Sequence, residues 1–191
     1  LGEEYNHPCL FTALPNWEGE RKHIESSPPA LDDAGNHTVS DCGLAQQRRS
    51  RRMIPWLEFF GWWLTEGSVG KKGQNNSVRI YQSDTRGLER LFEKIGYESP
   101  RCGKTEGAEY LEVADKRLAS YLRQFVDERH IPQWMRNLPN ADLRILFDAL
   151  MQGDGTRRPN KRGWTFYTSS ETLADHVQEI ALKLGHAATI N

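Results

Sequence analysis

Two apolar segments that each end in an acid followed by glycine most constrain what this chain of 191 residues can fold into. Residues 56–67 read WLEFFGWWLTEG and residues 144–155 read RILFDALMQGDG. Both have the length and apolar content of a helix, and their acids, Glu66 and Asp154, lie 88 residues apart. Similarity at one long spacing indicates that a single structural unit occurs twice.

The similarity continues beyond each acid. Residues 77–83 and 163–169 both alternate with a period of two, which is the pattern of a half-buried strand. The alternation predicts that four side chains face the core, namely Val78, Ile80, Trp164 and Phe166. It predicts that four others face outward, namely Arg79, Tyr81, Thr165 and Tyr167.

An amphipathic helix is predicted after each strand, over 85–95 and over about 171–184, and each ends at a glycine. Thr168 to Glu171 has the form of a capping box at the start of the second helix. The other predicted elements are strands and one helix, at 97–103, 109–114, 116–126 and 187–190.

These elements predict an α+β fold with the order helix-strand-strand-helix-strand-strand-helix in each unit. Repeat one covers about residues 53–130. Repeat two covers about residues 131–191 and is expected to be cut short, without its final strand and helix. Residues 1–52 hold four of the nine prolines and show little periodicity, so we expect an N-terminal extension without a core of its own.

Composition excludes several classes of protein. The formal net charge is -1, and no apolar run approaches the ~18 residues of a membrane span. No signal peptide is evident, so a cytoplasmic location is expected. The three cysteines show no spacing typical of a zinc site or a disulfide framework.

Small residues four apart form a stripe on each acid-ended helix. Gly61 and Thr65 lie on one face of the first helix, and Ala149 and Gly153 take the same places in the second. Such stripes let two helix backbones approach closely. We therefore expect the two helices to pack together and to bring Glu66 and Asp154 to one end.

Two carboxylates at helix C-termini repel each other and the helix dipoles. A divalent cation removes this conflict, and hard cations such as Mg²⁺ or Mn²⁺ prefer oxygen ligands. We predict that Glu66 and Asp154 hold such ions with help from the carbonyl groups of Thr65 and Gly153. Metal ions held in this way can activate water for cleavage of a phosphodiester bond.

Basic residues follow the acid in both repeats, which predicts contact with DNA phosphates. The predicted phosphate contacts are Lys71, Lys72, Arg157, Arg158, Lys161 and Arg162. On the first strand, Arg79 and Gln82 carry side chains suited to guanine and adenine edges. Tyr81 is either a DNA contact or part of the rim packing.

The segments FFGWWLTEG at 59–67 and FDALMQGDG at 147–155 resemble the paired motifs of the LAGLIDADG homing endonucleases, in particular the dodecapeptide type found in inteins. The resemblance extends over about residues 53–190. It implies that the two repeats form a saddle across the DNA major groove and that Glu66 and Asp154 hold the catalytic metal ions. It also implies a charge-stabilising role for Arg129, two positions before Ile131-Pro132.

The resemblance further implies a monomer that cuts double-stranded DNA at a long asymmetric site. It implies a bacterial or phage-encoded context, with residues 1–52 as the junction to an intein splicing domain within a host protein. Motif one ends in Glu66 where the family usually has Asp, and Arg129 stands where Lys is usual. Two alternatives therefore stay open: a non-catalytic nucleic-acid-binding module, maturase-like or regulatory, and a relic insert in a splicing protein.

Overall fold

The computed structural model describes residues 53–71, 75–83, 85–105, 107–157 and 163–190. Helices and antiparallel strands occur together in both halves, so the predicted α+β class is confirmed. The N-terminal extension predicted at 1–52 lies outside the described residues.

The first half contains, in chain order, α1 (Met53–Glu66), β1 (Gly67–Val69), β2 (Ser77–Tyr81), α2 (Thr85–Lys94), β3 (Arg101–Lys104), β4 (Glu109–Ala114) and α3 (Lys116–Leu122). A turn of 3-10 helix at Arg123–Phe125 extends α3. The second half contains α4 (Gln133–Arg136), α5 (Asn140–Gly153), β5 (Gly155–Arg157), β6 (Trp164–Phe166) and α6 (Glu171–Lys183).

The first half forms a four-stranded antiparallel sheet in the order β1-β2-β4-β3. Val78 and Ile80 on β2 lie opposite Val113 and Leu111 on β4, and these four side chains are buried. Because side chains alternate along a strand, the residues between them lie on the other face of the sheet. The sheet thus has one core face and one outer face, as the alternation predicted.

Aromatic side chains of α1 fill the core of the first half. Four of them are at most 2% exposed, namely Trp56, Phe59, Phe60 and Trp63. The Phe60 ring meets the Phe125 ring edge to face at 5.1 Å, and the Phe59 ring meets that of Phe92 at 5.5 Å. Rings of this size bury a large apolar area, so they anchor α1 between the sheet and α3.

Helices α1 and α5 pack directly against each other over the four small residues. A Cβ atom added to Gly61 would lie 2.7 Å from the Cβ of Ala149 and 3.1 Å from the Leu146 carbonyl oxygen. A Cβ atom added to Gly153 would lie 2.6 Å from the Cβ of Thr65. No larger side chain fits between the two backbones at either crossing point.

The repeat is visible in the strand register. In the first half Gly67 pairs with Ile80, and in the second half Gly155 pairs with Phe166. In both halves the glycine directly follows the acid at the helix end. The two units therefore share the helix-to-hairpin geometry at which each acid is placed.

Two expectations for the second half are wrong. Trp164, expected in the core, is 54% exposed, since β5 and β6 are three residues each and the described part of the chain offers no third strand beside it. Residues 187–190 form no strand beyond an isolated bridge at Ala188, whose carbonyl accepts a hydrogen bond from Gln178 Nε2 of α6. Their counterpart β3 pairs with β4, and no described segment after α6 can replace β4.

The start of α6 also differs from the prediction. Its N-cap is Ser170, whose Oγ accepts a hydrogen bond from the Leu173 amide at 3.1 Å. Thr168 instead accepts a bond from the Ser170 amide, which orients the chain before the helix. The capping box expected from Thr168 to Glu171 is therefore replaced by a cap two residues later.

The tight crossing of α1 and α5 predicts that Gly61→Ala destabilises the protein. Alanine is a better helix former than glycine by about 1 kcal/mol, yet overpacking at this contact should lower the free energy of unfolding by about 1–3 kcal/mol. Urea unfolding followed by circular dichroism measures the change.

Gly87 in α2 provides the matched control, because a Cβ atom there meets nothing within 4 Å. Gly87→Ala should raise the free energy of unfolding by roughly 0.5–1 kcal/mol. A stabilising effect of both substitutions would contradict the close approach at Gly61.

Candidate functional site

The acids stand at neighbouring ends of the two packed helices. Glu66 is the last residue of α1, and Asp154 directly follows α5, with its amide donating to the Leu150 carbonyl at 3.1 Å. The contact between Thr65 and Gly153 lies one residue before each acid. Both carboxylates therefore lie just beyond the point of closest contact between α1 and α5.

The glycine after each acid is required by the turn from helix to strand. A Cβ atom at Gly67 would collide with the carbonyl oxygen of Trp63, and one at Gly155 would collide with that of Met151. In both cases the obstructing oxygen lies four residues earlier. Glycine is thus needed after each acid because the chain passes close to the last turn of the helix as it turns into the strand.

The two carboxyl groups are half-buried, and both favour their neutral forms more than a free carboxyl does. Burial raises the pKa of Glu66, and the nearby Asp154 carboxylate raises it further. Burial also raises the pKa of Asp154, although the charge of Arg129 acts in the opposite direction. The site therefore holds negative charge that the surrounding protein only partly compensates.

Arg129 is the cation that faces this negative charge. Its Nη1 donates to the Trp63 carbonyl at 3.1 Å and its Nη2 to the Gly67 carbonyl at 2.8 Å. The guanidinium carbon lies 4.4 Å from the centre of the Trp63 ring, a cation–π contact. Burial lowers the pKa of Arg129, and Asp154 opposes this effect. The guanidinium thus caps the C-terminal end of α1 while it interacts with the acid that follows α5.

The segment that carries Arg129 is fixed by α6. Ser170 Oγ donates to the Arg129 carbonyl at 2.7 Å, and the Ile131 amide donates to His176 Nδ1 at 3.1 Å. Burial and the charge of Arg136 lower the pKa of His176, which keeps Nδ1 available as an acceptor. The position of the guanidinium therefore depends on the second half of the chain as well as on α1.

The donor set suits a hard cation that keeps part of its hydration shell. In the described ranges no three His, Cys, Asp or Glu side chains cluster as a closed metal site. The Thr65 hydroxyl donates to the carbonyls of Trp62 and Gly61, which holds its side chain against its own helix. Two carboxylates with backbone oxygens, water and substrate phosphate form the kind of set that Mg²⁺ accepts.

The predicted base-reading residues lie at the outer face of β2 and at its end. Arg79 pairs with Glu112 of β4, and the Tyr81 ring lies 5.5 Å from that of Tyr110. The Gln82 side-chain oxygen accepts a hydrogen bond from the Ser83 amide at 2.8 Å. The first two are held by neighbours across the sheet, whereas Gln82 stabilises the turn after β2.

The predicted phosphate contacts are placed only in part. Lys71 and Arg157 are exposed: Lys71 lies two residues after β1, and Arg157 is the last residue of β5. The others lie outside the described residues, namely Lys72, Arg158, Lys161 and Arg162.

Glu112 and Arg123 were missed by the sequence analysis. Arg123 donates to the carbonyls of Gly70 and Asn75 and so ties the loop end of the β1–β2 hairpin to the end of α3. The alternation of β4 predicted a strand, and with the register it would have placed Glu112 beside Arg79. No local pattern indicates the contact of Arg123 with the hairpin.

Among the described residues, no helix has the length and apolar character needed to cross a membrane.

The raised pKa values predict how stability depends on pH in metal-free buffer. A carboxyl with a higher pKa in the folded than in the unfolded chain stabilises the fold when protonated, and this stabilisation is lost as pH rises above the ordinary values of 3.8 and 4.5. Asp154→Asn should therefore raise the melting temperature at pH 8 by a few degrees, and the gain should shrink toward pH 4.

Asp148→Asn makes the same change at an exposed position of α5 and should leave the melting temperature nearly unchanged at both pH values. A loss of stability in Asp154→Asn at pH 8 would show that the attraction to Arg129 outweighs burial and repulsion.

Comparison with known proteins adds one sequence relative and a structural likeness. No family model matches the chain. A protein named ATP-dependent Clp protease proteolytic subunit, from Chlamydomonas moewusii, is 27% identical over 154 residues. The alignment covers 72% of this chain, and the chain spans only about 15% of that relative's length.

The fold is similar to that of the homing endonuclease I-DmoI. Mesophilic variants of I-DmoI match with a TM-score of 0.54 at 14% identity, over 70% of this chain and 74% of theirs. I-DmoI in complex with DNA and Ca matches with a TM-score of 0.53 at 14% identity, over 70% of this chain and 73% of that chain. At such low identity the likeness concerns the fold alone, and the chain has the fold of the LAGLIDADG homing endonucleases.

Proposed function

We propose that this chain is a metal-dependent endonuclease that hydrolyses phosphodiester bonds at a specific site in double-stranded DNA. The observation that carries the proposal is the meeting of Glu66 and Asp154 at the ends of two helices packed at backbone distance. Two half-buried carboxylates held together against their repulsion are the expected basis of a cation site. The fold shared with I-DmoI supports this reading.

The roles of the residues follow from their places. Glu66 and Asp154 would hold the divalent ions, and the carbonyl oxygens of Thr65 and Gly153 would complete the protein's part of the ligand set. When bound, divalent ions activate water and neutralise charge on the phosphate and the leaving oxygen. Mg²⁺ or Mn²⁺ fits this all-oxygen set.

Arg129 supplies fixed positive charge and no proton transfer. A guanidinium stays protonated in proteins, so Arg129 cannot act as a general base. Its two hydrogen bonds, to the carbonyls of Trp63 in α1 and Gly67 at the start of β1, fix it beside the acids, where its charge lowers the free-energy cost of bringing a phosphate into the site. We assign it charge stabilisation and positioning.

DNA binding is proposed for the outer faces of the two sheets and the adjoining loops. The first half offers Arg79 and Tyr81, whereas the equivalent positions of the second half are Thr165 and Tyr167. Unlike faces read unlike half-sites, so one copy of the chain suffices for a long asymmetric site. Lys71, Lys72, Arg157, Arg158, Lys161 and Arg162 are the proposed phosphate contacts, and Gln82 is a further proposed contact.

An insertion within a larger protein is proposed as the genetic setting. The relative from Chlamydomonas moewusii matches along 15% of its length and carries the name of a different enzyme, as expected if the matching part is a guest domain. Residues 1–52 are then the junction to an intein splicing domain and a host protein. The complete reading frame tests this directly, because splicing segments must flank the domain on both sides.

Cleavage should depend on both acids. With Mg²⁺, the wild-type chain should linearise a subset of a plasmid library with random inserts. Asp154→Asn and Glu66→Gln should each slow cleavage of the selected sites by on the order of 100-fold or more, since each loses a metal ligand. Adaptor ligation and sequencing of the cut ends measures the rates.

Asp148→Asn, the charge-matched control on α5, should cut like the wild type. Equal cutting by Asp154→Asn and the wild type would overturn the assigned site. Specific binding without cleavage under any divalent ion would favour the non-catalytic alternative.

Substitutions of Arg129 should separate its charge from its geometry. Arg129→Lys keeps the charge but cannot reproduce the planar fork to two carbonyls, so a loss of about ten-fold in cleavage is expected. Arg129→Ala should lose a further factor of about ten or more, and should raise the pKa of Asp154 in a carboxyl NMR titration. Arg117→Ala, at an exposed site on α3, is the charge control. Wild-type cleavage by Arg129→Ala would contradict the assignment.

A further inference from the structure

A line of charged side chains crosses the outer face of the first sheet. Arg79 on β2 lies opposite Glu112 on β4, and Glu112 lies opposite Arg101 on β3. Their neighbours Ile80 and Leu111 are fully buried on the core face. An acid thus stands between two arginines on the surface proposed to meet DNA.

Arg79 is held in one orientation by contacts with Glu112 and Tyr110, and its side chain also shares a hydrogen bond with Tyr81. Its Nε donates to Glu112 Oε2 at 2.5 Å, and its guanidinium carbon lies 4.8 Å from the centre of the Tyr110 ring. The side chains of Arg79 and Glu112 are only 34% and 16% exposed. An arginine that is both paired and stacked loses less conformational freedom on binding than a free one.

The ion pair uses Nε and leaves the two terminal nitrogens out of the bond to Glu112. When a guanine replaces or shares the Tyr81 contact, those two nitrogens can donate side by side to its O6 and N7, the most frequent specific contact of arginine in the major groove. The pairing with Glu112 is therefore compatible with a base contact, and it fixes the orientation of the guanidinium plane for that contact.

The charge of Glu112 has a second effect. An unpaired arginine on a DNA-binding surface attracts phosphates of any sequence. A carboxylate beside it repels phosphate and cancels part of this attraction, which favours a partner that offers hydrogen-bond acceptors without negative charge.

We propose that Glu112 is a specificity-determining positioning residue: it presents Arg79 to a guanine in the DNA major groove and suppresses contact of Arg79 with phosphate. The inference rests on the proposed function and adds one element of the recognition code of the first half. Glu112 itself touches neither the acids nor the scissile bond.

The test uses the full chain and a library of duplexes with a random central segment. Wild type should select a motif with one guanine that Arg79→Ala no longer prefers. Glu112→Gln, which keeps the shape but not the charge, should lose about ten-fold of the preference at that same position. The Glu112→Gln variant should also bind a duplex of unselected sequence more tightly. The dependence of its binding constant on salt should be steeper by about one phosphate contact.

Glu109→Gln is the matched control. Glu109 lies on the same strand and pairs with Lys104 at 3.5 Å, away from Arg79. It should select the wild-type motif with unchanged strength, and thermal melting checks that all variants fold.

If Glu112→Gln keeps the wild-type preference for the guanine that depends on Arg79, the inference is overturned while the proposed function stands. A wild-type chain that binds no duplex and selects no motif would overturn the proposed function and the inference with it. Loss of the guanine in Glu109→Gln as well would also overturn the inference, because it would trace the preference to net charge.

Discussion

Four small residues let α1 and α5 cross at backbone contact, and the other functional side chains are placed relative to this crossing. It brings Glu66 and Asp154 together although the Asp154 carboxylate raises the free energy of the charged form of Glu66. Buried aromatic rings of α1, which pack against α2 and the 3-10 turn after α3, help to offset this repulsion. Both hairpins then leave the crossing through the glycine that follows each acid.

Arg129 links this crossing to the rest of the chain. It binds two carbonyls at the end of α1, stacks on Trp63 and is attracted to Asp154. A half-buried cation next to two half-buried acids is a costly arrangement for stability alone. Such an arrangement is typical of a functional site, and the metal ion proposed above would supply the missing positive charge.

The sequence predicted the parts of this structure that depend on local patterns. Each of these patterns lies within a few consecutive residues: the helical apolar segments, the acid-glycine ends and the alternation of β2. The first two patterns correctly predicted both acids at helix ends. The exposure of Trp164 was not predictable in this way, because it depends on which strands lie beside β6. The same holds for Glu112 and Arg123, whose partners are distant in sequence and are set by strand register and by the end of α3.

The division of the site between the two halves has a consequence for the protein during its own synthesis. Glu66 belongs to the first half and Asp154 to the second. The segment with Arg129 is held by hydrogen bonds to Ser170, the N-cap of α6, and to His176 within α6. A nascent chain that has emerged only as far as Arg129 holds one acid of the pair. It has neither the second acid nor the helix that fixes the guanidinium, so an incomplete translation product lacks the assembled pair of acids.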